Sequence, residues 1–246
     1  MGSETATQGK KVFACDAVLL DAAGTLIKPR KPVGETYAEI AARYGAELEP
    51  GRLMQAFVEV FRNMPDLAFK WATKGELGRL ERDWWRTLVQ RVVARTSCVV
   101  DDFDAFFDTL YRHYAAGEAW RVYPDVEPVL DGLRARGCKL AVVSNFDSRL
   151  PGILEALGIA SRLDAIVYST RAGSAKPDAA IFMRALGTLG VPPERAVHVG
   201  DNLEADYEGA AGAGLSALLI QRDKPAAELG SDRISSLEAL LSRVRA

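Results

Sequence analysis

The sequence has little of what marks secreted, membrane-spanning or nucleic-acid-binding proteins. Its three cysteines, Cys15, Cys98 and Cys138, lie far apart and form no Cys-x-x-Cys pair, so we expect buried thiols in a reducing compartment. No apolar run approaches the length of a membrane span, and no signal-peptide stretch opens the chain. A formal net charge of −2, with scattered lysines and arginines, provides no basic surface for nucleic acid. These absences predict a cytoplasmic protein.

The N-terminal half of the chain changes its pattern twice. Residues 1–10 are expected to form a disordered leader, and the apolar run 12–20 predicts a buried strand. From 33 to 116 apolar residues recur at helical spacing, as in "VGETYAEIAARYG". The pair Trp84–Trp85 and an aromatic stripe in this region indicate either a ligand-binding surface or, more commonly, packing between helices. The stripe consists of Phe103, Phe106, Phe107, Tyr111 and Tyr114.

In the C-terminal half, strands alternate with helices. Strands are predicted at 139–144, 165–169, 195–200 and 216–221, separated by helices at about 125–136, 148–158, 178–189 and 203–213. Near-continuous apolar strands that alternate with helices predict an α/β fold with a parallel sheet covered on both faces. We therefore expect a Rossmann-like, doubly wound three-layer core from 11–30 and 118–246. An all-helical domain, 31–117, interrupts it.

Polar residues follow each predicted strand. Asp21 lies after the first strand, Ser144–Asn145 after the second, Lys176 after the third, and "GDNLEAD" (200–206) after the fourth. In open parallel sheets, ligands bind beyond the carboxyl ends of the strands. We therefore expect these side chains to meet at one edge of the sheet.

Each of these residue types suits phosphoryl chemistry. Asp21 is an oxygen nucleophile, and Asp21 with Asp201 can bind Mg²⁺, which prefers carboxylate, phosphate and water oxygens. Ser144 can offer a hydroxyl to a phosphate, and Lys176 can oppose its negative charge. Asp206 is expected to orient the metal ligands or a water.

Each residue also has an ordinary structural explanation when taken alone. Asp21 can close a turn, Ser144 or Asn145 can cap a helix, and Lys176 can be a solvated loop lysine. The acids of 201–206 can favour a helix N-terminus. Their joint occurrence at successive strand ends favours the functional interpretation.

Together these segments resemble the four motifs of the haloacid dehalogenase superfamily of hydrolases. The motifs read "LLDAAGTL", "VVSN", "KP" and "HVGDNLEAD" and span 19–206. The helical insertion resembles the C1-type cap of that family. The segment "PVGETYAEIAARYG" and the tryptophan pair are similar to the rhythmically-expressed-protein branch.

The resemblance implies a role for each matching residue. Asp21 corresponds to the nucleophile, and Thr25 would support its loop. Ser144, with Asn145 beside it, corresponds to the phosphate-binding position, and Lys176 to the charge-neutralising lysine. The resemblance thus implies a small phosphorylated substrate bound at this site.

The resemblance also implies a Mg²⁺ site. Asp201 corresponds to the motif-four metal ligand, and the backbone carbonyl of residue 23 would also touch the metal. Residue 23 is Ala23, where phosphatases of the family have an aspartate that protonates the leaving group and then activates water. The carbonyl of Ala23 is retained, but the acid is absent.

Three interpretations of Ala23 remain open. The first is a Mg²⁺-dependent phosphohydrolase with a weakened acid/base step, and the second is a non-catalytic relative that binds a phosphorylated ligand or a protein. The third is a dehalogenase-like or phosphonatase-like hydrolase. Metal-free dehalogenases have no use for a metal site. Phosphonatases need a cap lysine where this chain has Tyr37 and Ala38, leaving Lys70 and Lys74 as substitutes. The sequence specifies neither the substrate nor the oligomeric state.

Overall fold

The computed structural model describes residues 12–97 and 99–245. The expected leader, 1–10, and the thiol of Cys98 lie outside the described residues. Cys15 and Cys138 are buried free thiols, as expected. Burial raises the pKa of Cys15 to about 12, so this thiol is unreactive at neutral pH.

Ten short strands occur in the described residues, and six of them form one sheet. They are β1 (Phe13–Ala14), β2 (Ala17–Leu20), β3 (Ile27–Pro29), β4 (Trp120–Val122), β5 (Lys139–Ser144), β6 (Ala165–Tyr168), β7 (Ala196–Gly200), β8 (Ser216–Ile220), β9 (Arg233–Ile234) and β10 (Val244–Arg245). The main sheet has the order β6–β5–β2–β7–β8–β9, and every pair in it is parallel.

Ten α-helices accompany these strands in the same residues. They are α1 (Val33–Ala41), α2 (Pro50–Arg62), α3 (Leu77–Ala94), α4 (Phe103–His113), α5 (Val126–Arg134), α6 (Leu150–Ala156), α7 (Ser169–Ala172), α8 (Ala179–Leu189), α9 (Gly209–Gly212) and α10 (Glu238–Arg243). None of the described helices is long and apolar enough to cross a membrane.

The central strand β2 explains the three layers. Its four residues, "AVLL", are fully buried, which requires cover on both faces of the sheet. Val18 and Leu20 pack against the cluster that holds α5, α6 and α10. Ala17 and Leu19 pack against the cluster that holds α8. The predicted α/β, Rossmann-like core is therefore confirmed.

The helices α1 to α4 lie between β3 and β4 and have a hydrophobic core of their own. Leu53, Leu88 and Phe106 are central to it, separate from the two clusters on the sheet. Between 33 and 113 the described residues contain no strand, as the helical spacing predicts. We call α1–α4 the helical insertion.

Several boundaries differ from the sequence-based prediction. The run 12–20 forms two strands, because the chain breaks at Asp16, whose carboxylate pairs with Arg195. β1 consequently pairs with β10 outside the main sheet. The short pairing of β3 with β4, and strand β9, were not predicted, because two- and three-residue strands carry no periodicity. Other ends shift by one or two residues.

The predicted helix 203–213 is also divided. It begins as a π-helical turn, Leu203–Glu208, and continues as α9. The Asn202 carbonyl accepts hydrogen bonds from the backbone N–H groups of Asp206 and Tyr207, so the first turn is wider than an α-turn. This turn directs Asp206 back toward the end of β7.

Candidate active site

The carboxyl edge of the sheet gathers the predicted polar residues, as expected. Asp21 follows β2, Ser144 ends β5, and Asp201 follows β7. Lys176 reaches the same edge from the loop between α7 and α8. One ligand oxygen from each of Asp21, Asp201 and Asp206 lies within 4.8 Å of the other two.

Lys176 is the centre of this arrangement. Its Nζ atom donates to Asp21 Oδ1 at 2.7 Å and to Asp206 Oδ1 at 2.5 Å. The side chain is almost fully buried, which is not the environment of a solvated loop lysine. Asn145 fixes the Lys176 backbone, donating from Nδ2 to its carbonyl at 2.8 Å and accepting from its N–H at 2.7 Å. A direct contact between Asn145 and phosphate stays a prediction.

Asp206 is held by three donors and is therefore well suited to an orienting role. Besides Lys176, His198 Nε2 lies 3.0 Å from Asp206 Oδ1, and the Asn202 N–H donates to Oδ2 at 2.9 Å. Although burial acts in the opposite direction, the Lys176 charge and the His198 hydrogen bond keep the pKa of Asp206 low. Asp206 thus stays ionised.

His198 was not singled out by sequence reasoning. It is fully buried in β7, and burial lowers its pKa, so the imidazole is neutral and donates to Asp206. The available signal was one polar residue in the otherwise apolar strand "AVHVG". A buried polar side chain requires a hydrogen-bond partner, and here the partner is a site residue.

The site concentrates negative charge. Burial and the charge of Asp206 raise the pKa of Asp21 against the pull of Lys176. The two carboxylates raise the pKa of Lys176 despite its burial, so it remains an ammonium. Asp201 is an exposed residue, but its carboxylate folds over Gly24, where an added Cβ would lie 2.2 Å from Oδ2. Burial of that group and the nearby charges of Asp21 and Asp206 raise the pKa of Asp201 to about 7.

This donor set fits a divalent cation. Three carboxylates and one ammonium carry a net charge of −2 when all are ionised. Asp206 already accepts three hydrogen bonds, whereas no other side chain of the described residues donates to Asp201. Oxygen ligands of this kind are those that Mg²⁺ prefers. Asp21 and Asp201 are therefore the residues that would hold it.

The loop after Asp21 is a tight turn. The Ala22 carbonyl accepts from the N–H groups of Leu26 and Ile27, and Gly24 adopts φ +88°, a backbone conformation that favours glycine. Thr25 is buried, yet its hydroxyl has no partner among the described residues. It is the backbone of Thr25, rather than its hydroxyl, that is anchored.

Arg222 supplies that anchor and was missed by sequence reasoning. Its Nη2 atom donates to the Thr25 carbonyl at 2.6 Å, and its Nη1 atom donates to both carboxylate oxygens of Asp125. The guanidinium also stacks on Tyr123, 3.8 Å from the ring centroid. Arg222 lies after β8, and the sequence offers no signal for this long-range contact.

An apolar cavity of about 240 Å³ lies between the helical insertion and the sheet. Ala23 and Asn145 line it on the side of the sheet. Its remaining walls are mainly aromatic. Some residues of the aromatic stripe line this cavity, and others pack in the core of the helical insertion. Phe106 is fully buried in the core of the insertion and does not reach the cavity. The cavity-lining members of the aromatic pair and stripe are Trp85, Phe107, Tyr111 and Tyr114.

A parallel sheet with clustered carboxylates and a buried lysine at its carboxyl edge is the arrangement of haloacid dehalogenase-like hydrolases. The chain belongs to this family, since the family's model matches residues 15–214. It is 37% identical over 212 residues to haloacid dehalogenase-like hydrolase domain-containing protein 3 of Mus musculus, covering 83% of this chain and 81% of the mouse protein. It is 28% identical over 216 residues to the Rhythmically expressed gene 2 protein of Drosophila melanogaster, covering 82% of each. The similarity to the rhythmically-expressed branch is thereby confirmed.

Further relatives differ in their named activities. A glyceraldehyde 3-phosphate phosphatase of Methanopyrus kandleri is 40% identical over 121 residues, 49% of each chain. The crystal structure of a phosphatase of this family from Thermococcus onnurineus superposes with a TM-score of 0.64 at 23% identity, covering 94% of this chain and all of the other. An L-2-haloacid dehalogenase from Xanthobacter autotrophicus superposes with a TM-score of 0.68 at 17% identity, covering 93% and 97%. Both superpositions show the shared fold.

Proposed function

We propose that this protein is a Mg²⁺-dependent phosphohydrolase that acts on a small phosphorylated molecule through an aspartyl-phosphate at Asp21. The observation that carries the proposal is the buried ionic cluster of Asp21, Lys176 and Asp206, with Asp201 beside it. Burying charged groups is costly, so a buried cluster of charged side chains at the strand ends does little to stabilise the fold. It suits a site that stabilises a phosphoryl group.

The chemistry follows from the positions of these groups. A carboxylate oxygen of Asp21 attacks phosphorus, a bond forms between them, and the leaving oxygen departs with its electron pair. Lys176 and the Ser144 hydroxyl offset the negative charge on the phosphoryl oxygens. Mg²⁺ held by Asp21 and Asp201 would add further positive charge to the site. Water then attacks the phosphorus of the aspartyl-phosphate and regenerates the Asp21 carboxylate.

Ala23 weakens two parts of this sequence. Without an acid at this position, the leaving oxygen departs unprotonated and no base activates the water. Positioned acid–base groups are typically worth about 10²- to 10⁴-fold in rate. Asp206 does not replace the missing acid, because all its hydrogen bonds hold Lys176, His198 and the Asn202 backbone. We therefore expect slow turnover of substrates with poor leaving groups.

The other interpretations have less support. A metal-free dehalogenase has no use for the carboxylate of Asp201, and a non-catalytic binder has no use for a complete nucleophile–lysine–metal set. A phosphonatase needs a lysine facing the substrate, but Lys70 and Lys74 are exposed and neither lines the cavity. The glyceraldehyde 3-phosphate phosphatase of M. kandleri, 40% identical over about half of each chain, adds support for phosphate chemistry.

The decisive experiment uses Asp21→Asn. Phosphate release from an activated aryl phosphate should require Mg²⁺ in the unchanged protein and fall at least ~100-fold in the variant, since covalent catalysis is lost. Asp66→Asn, an exposed aspartate in the loop after α2, is the matched control and should retain activity. Full activity of Asp21→Asn, or turnover that ignores Mg²⁺, would overturn the proposal. Tight phosphate-ester binding without turnover would favour the binding protein.

A further inference from the structure

The cavity beside the proposed active site has a composition that selects against polar substrates. Its wall contains aromatic rings from three helices of the insertion, including Phe57 and Phe61 of α2, Trp85 of α3, and Phe107 and Tyr111 of α4. Sugars and other polyols need paired donors and acceptors, and a wall of this kind offers few. An apolar group would gain from burial here.

Arg149 does not alter this conclusion. Among the described residues that line the cavity, only Arg149 carries a charge. The carboxylate of Asp147 already forms an ion pair with it. Arg149 Nε donates to Asp147 Oδ1 at 2.9 Å, and Nη2 donates to Oδ2 at 2.6 Å. The guanidinium also lies over the rings of Tyr111 and Trp85, at 4.2 and 5.1 Å from their centroids. A substrate carboxylate or second phosphate would have to compete with Asp147.

The cavity and the reacting centre share two residues. Ala23 lines the cavity and lies two positions after the nucleophile. Asn145 lines it too and holds the backbone of Lys176. A leaving group on a phosphate bound at Asp21 and Lys176 could therefore enter the cavity beside Ala23. The methyl continues the apolar wall where an aspartate would interrupt it.

We propose that the substrate is a phosphate monoester of an apolar phenol, an aryl phosphate whose ring occupies this cavity. This inference rests on the proposed phosphohydrolase function. Two independent features agree with it. The aromatic wall suits edge-to-face or offset packing with a ring. A phenolate, unlike an alkoxide, departs readily without protonation, so the absence of an acid at Ala23 costs this substrate class least.

The size of the cavity limits the ring system. An apolar cavity of about 150 Å³ accepts benzene. At about 240 Å³, this cavity has space for a substituted or fused ring, and it lies below the range of about 300–1,000 Å³ that holds drug-sized ligands. We therefore expect preference for two fused rings over one and little tolerance of larger systems.

In the step, the Asp21 oxygen bonds to phosphorus as the bond from phosphorus to the phenol oxygen breaks. The phenolate keeps the electron pair and takes a proton from solvent. Water then cleaves the aspartyl-phosphate, leaving inorganic phosphate. No oxidant or reductant is needed.

A substrate series tests the proposal with the unchanged protein and Mg²⁺. We expect kcat/KM to rise at least ~10-fold from phenyl to 2-naphthyl phosphate, since even one methylene in an apolar pocket changes kcat/KM by about 10- to 200-fold. Glucose 6-phosphate should be turned over far more slowly than either. Equal values for phenyl and naphthyl phosphate, or preference for the sugar phosphate, would overturn this inference and leave the phosphohydrolase intact. No Mg²⁺-dependent turnover of any ester would overturn both.

A pair of variants locates the preference in the cavity. Phe61→Asp introduces a charge at a cavity-lining side chain that is 45% exposed, and it should lower kcat/KM for 2-naphthyl phosphate at least ~10-fold. Inhibition by inorganic phosphate, which occupies only the site at Asp21 and Lys176, should change much less. Met54→Asp, on the same helix but away from the cavity, is the control and should change neither. Equal losses in the two variants would contradict the assignment of the cavity.

Discussion

At the scale of single residues, Ala23 combines two properties of the site. Ala23 lines the aromatic cavity, and it occupies the position where the proposed mechanism would use an acid/base group. Asp206, in the turn after β7, already accepts hydrogen bonds from Lys176 and from His198 of β7. In the proposed reaction, Asp21 would therefore act in a strongly charged setting with no carboxylic acid side chain at position 23.

Restoring the acid tests this description of Ala23. Ala23→Asp should speed hydrolysis of alkyl phosphates more than that of aryl phosphates, because an alkoxide leaving group depends most on protonation. The measurement is the ratio of alkyl to aryl phosphate turnover in the two proteins. An unchanged ratio, with fold and Mg²⁺ binding intact, would show that another group performs the proton transfer.

The shifted pKa of Asp201 predicts an unusual dependence of stability on pH. A pKa of about 7 in the folded protein exceeds the value of about 4 in an unfolded chain, so the metal-free folded state binds more protons between these values. The contribution of Asp201 to the free energy of unfolding should therefore fall as pH rises from about 4 to 7. If Mg²⁺ binds at the proposed site, it would bind the ionised carboxylates and should stabilise the protein more at pH 8 than at pH 5.

Thermal unfolding with EDTA or Mg²⁺ across this range checks the prediction. Asp201→Asn should lose this contribution, so the free energy of unfolding of the variant minus that of the unchanged protein should rise between pH 4 and 7. Stabilisation by Mg²⁺ should also weaken. Asp66→Asn should behave like the unchanged protein. If Asp201→Asn keeps full stabilisation by Mg²⁺, Asp201 is not a metal ligand.

At the scale of secondary-structure elements, α3 joins the helical insertion to the sheet domain through buried hydrogen bonds. Glu81 is fully buried and accepts from the Ser148 backbone N–H, the Ser148 hydroxyl and the Thr170 hydroxyl. One turn later, Trp85 Nε1 donates to Asp147 Oδ2 at 2.6 Å. One face of α3 therefore fixes the position of the helical insertion relative to the sheet domain on the two sides of the cavity.

Glu81→Gln should loosen this junction. An amide cannot accept from all three donors as the carboxylate does, so we expect a loss of about 1–3 kcal/mol in the free energy of unfolding. Trypsin should also cut the two crossings between the insertion and the sheet domain faster. The expected cleavage sites are Arg30 and Arg121, because the lysines at 28 and 31 precede proline. The control is Glu155→Gln, an exposed position on α6, which should stay within about 0.5 kcal/mol. Equal stability and cleavage in both variants would show that Glu81 does not hold the junction.

At the scale of the whole molecule, the hydrophobic core of the insertion faces the sheet domain at the site. The insertion packs around its own cluster, and the sheet packs around two others. The short β3–β4 pair forms the crossing, reinforced by Arg30, whose side chain donates to the carbonyls of Glu118 and Trp120. The cavity lies where the separate cores face each other, so its lining comes from both parts. The domain boundaries 31–117 and 118–246 stay predictions, although this separation of cores supports them.

Much of this architecture could be predicted because it depends on local patterns. The apolar strands predict burial on both faces, and the parallel order follows from alternation with helices. Strand ends in a parallel sheet share one edge, which is why Asp21, Ser144 and Asp201 could be placed together from the sequence. The strand predictions fail where strands have two or three residues, as in β1, β9 and the β3–β4 pair.

The residue types available for chemistry, and the edge of the sheet at which they collect, follow from the order of residues along the chain. Which partners each residue has depends on how distant segments pack together. The bonds of Lys176 to Asp21 and Asp206 and the anchoring of Thr25 by Arg222 join residues about 30 to almost 200 positions apart. No periodicity encodes such contacts. Which aromatic residues lie in the core of the insertion and which line the cavity likewise depends on how the insertion and the sheet domain pack together. Residues of both kinds have the same spacing along the helices.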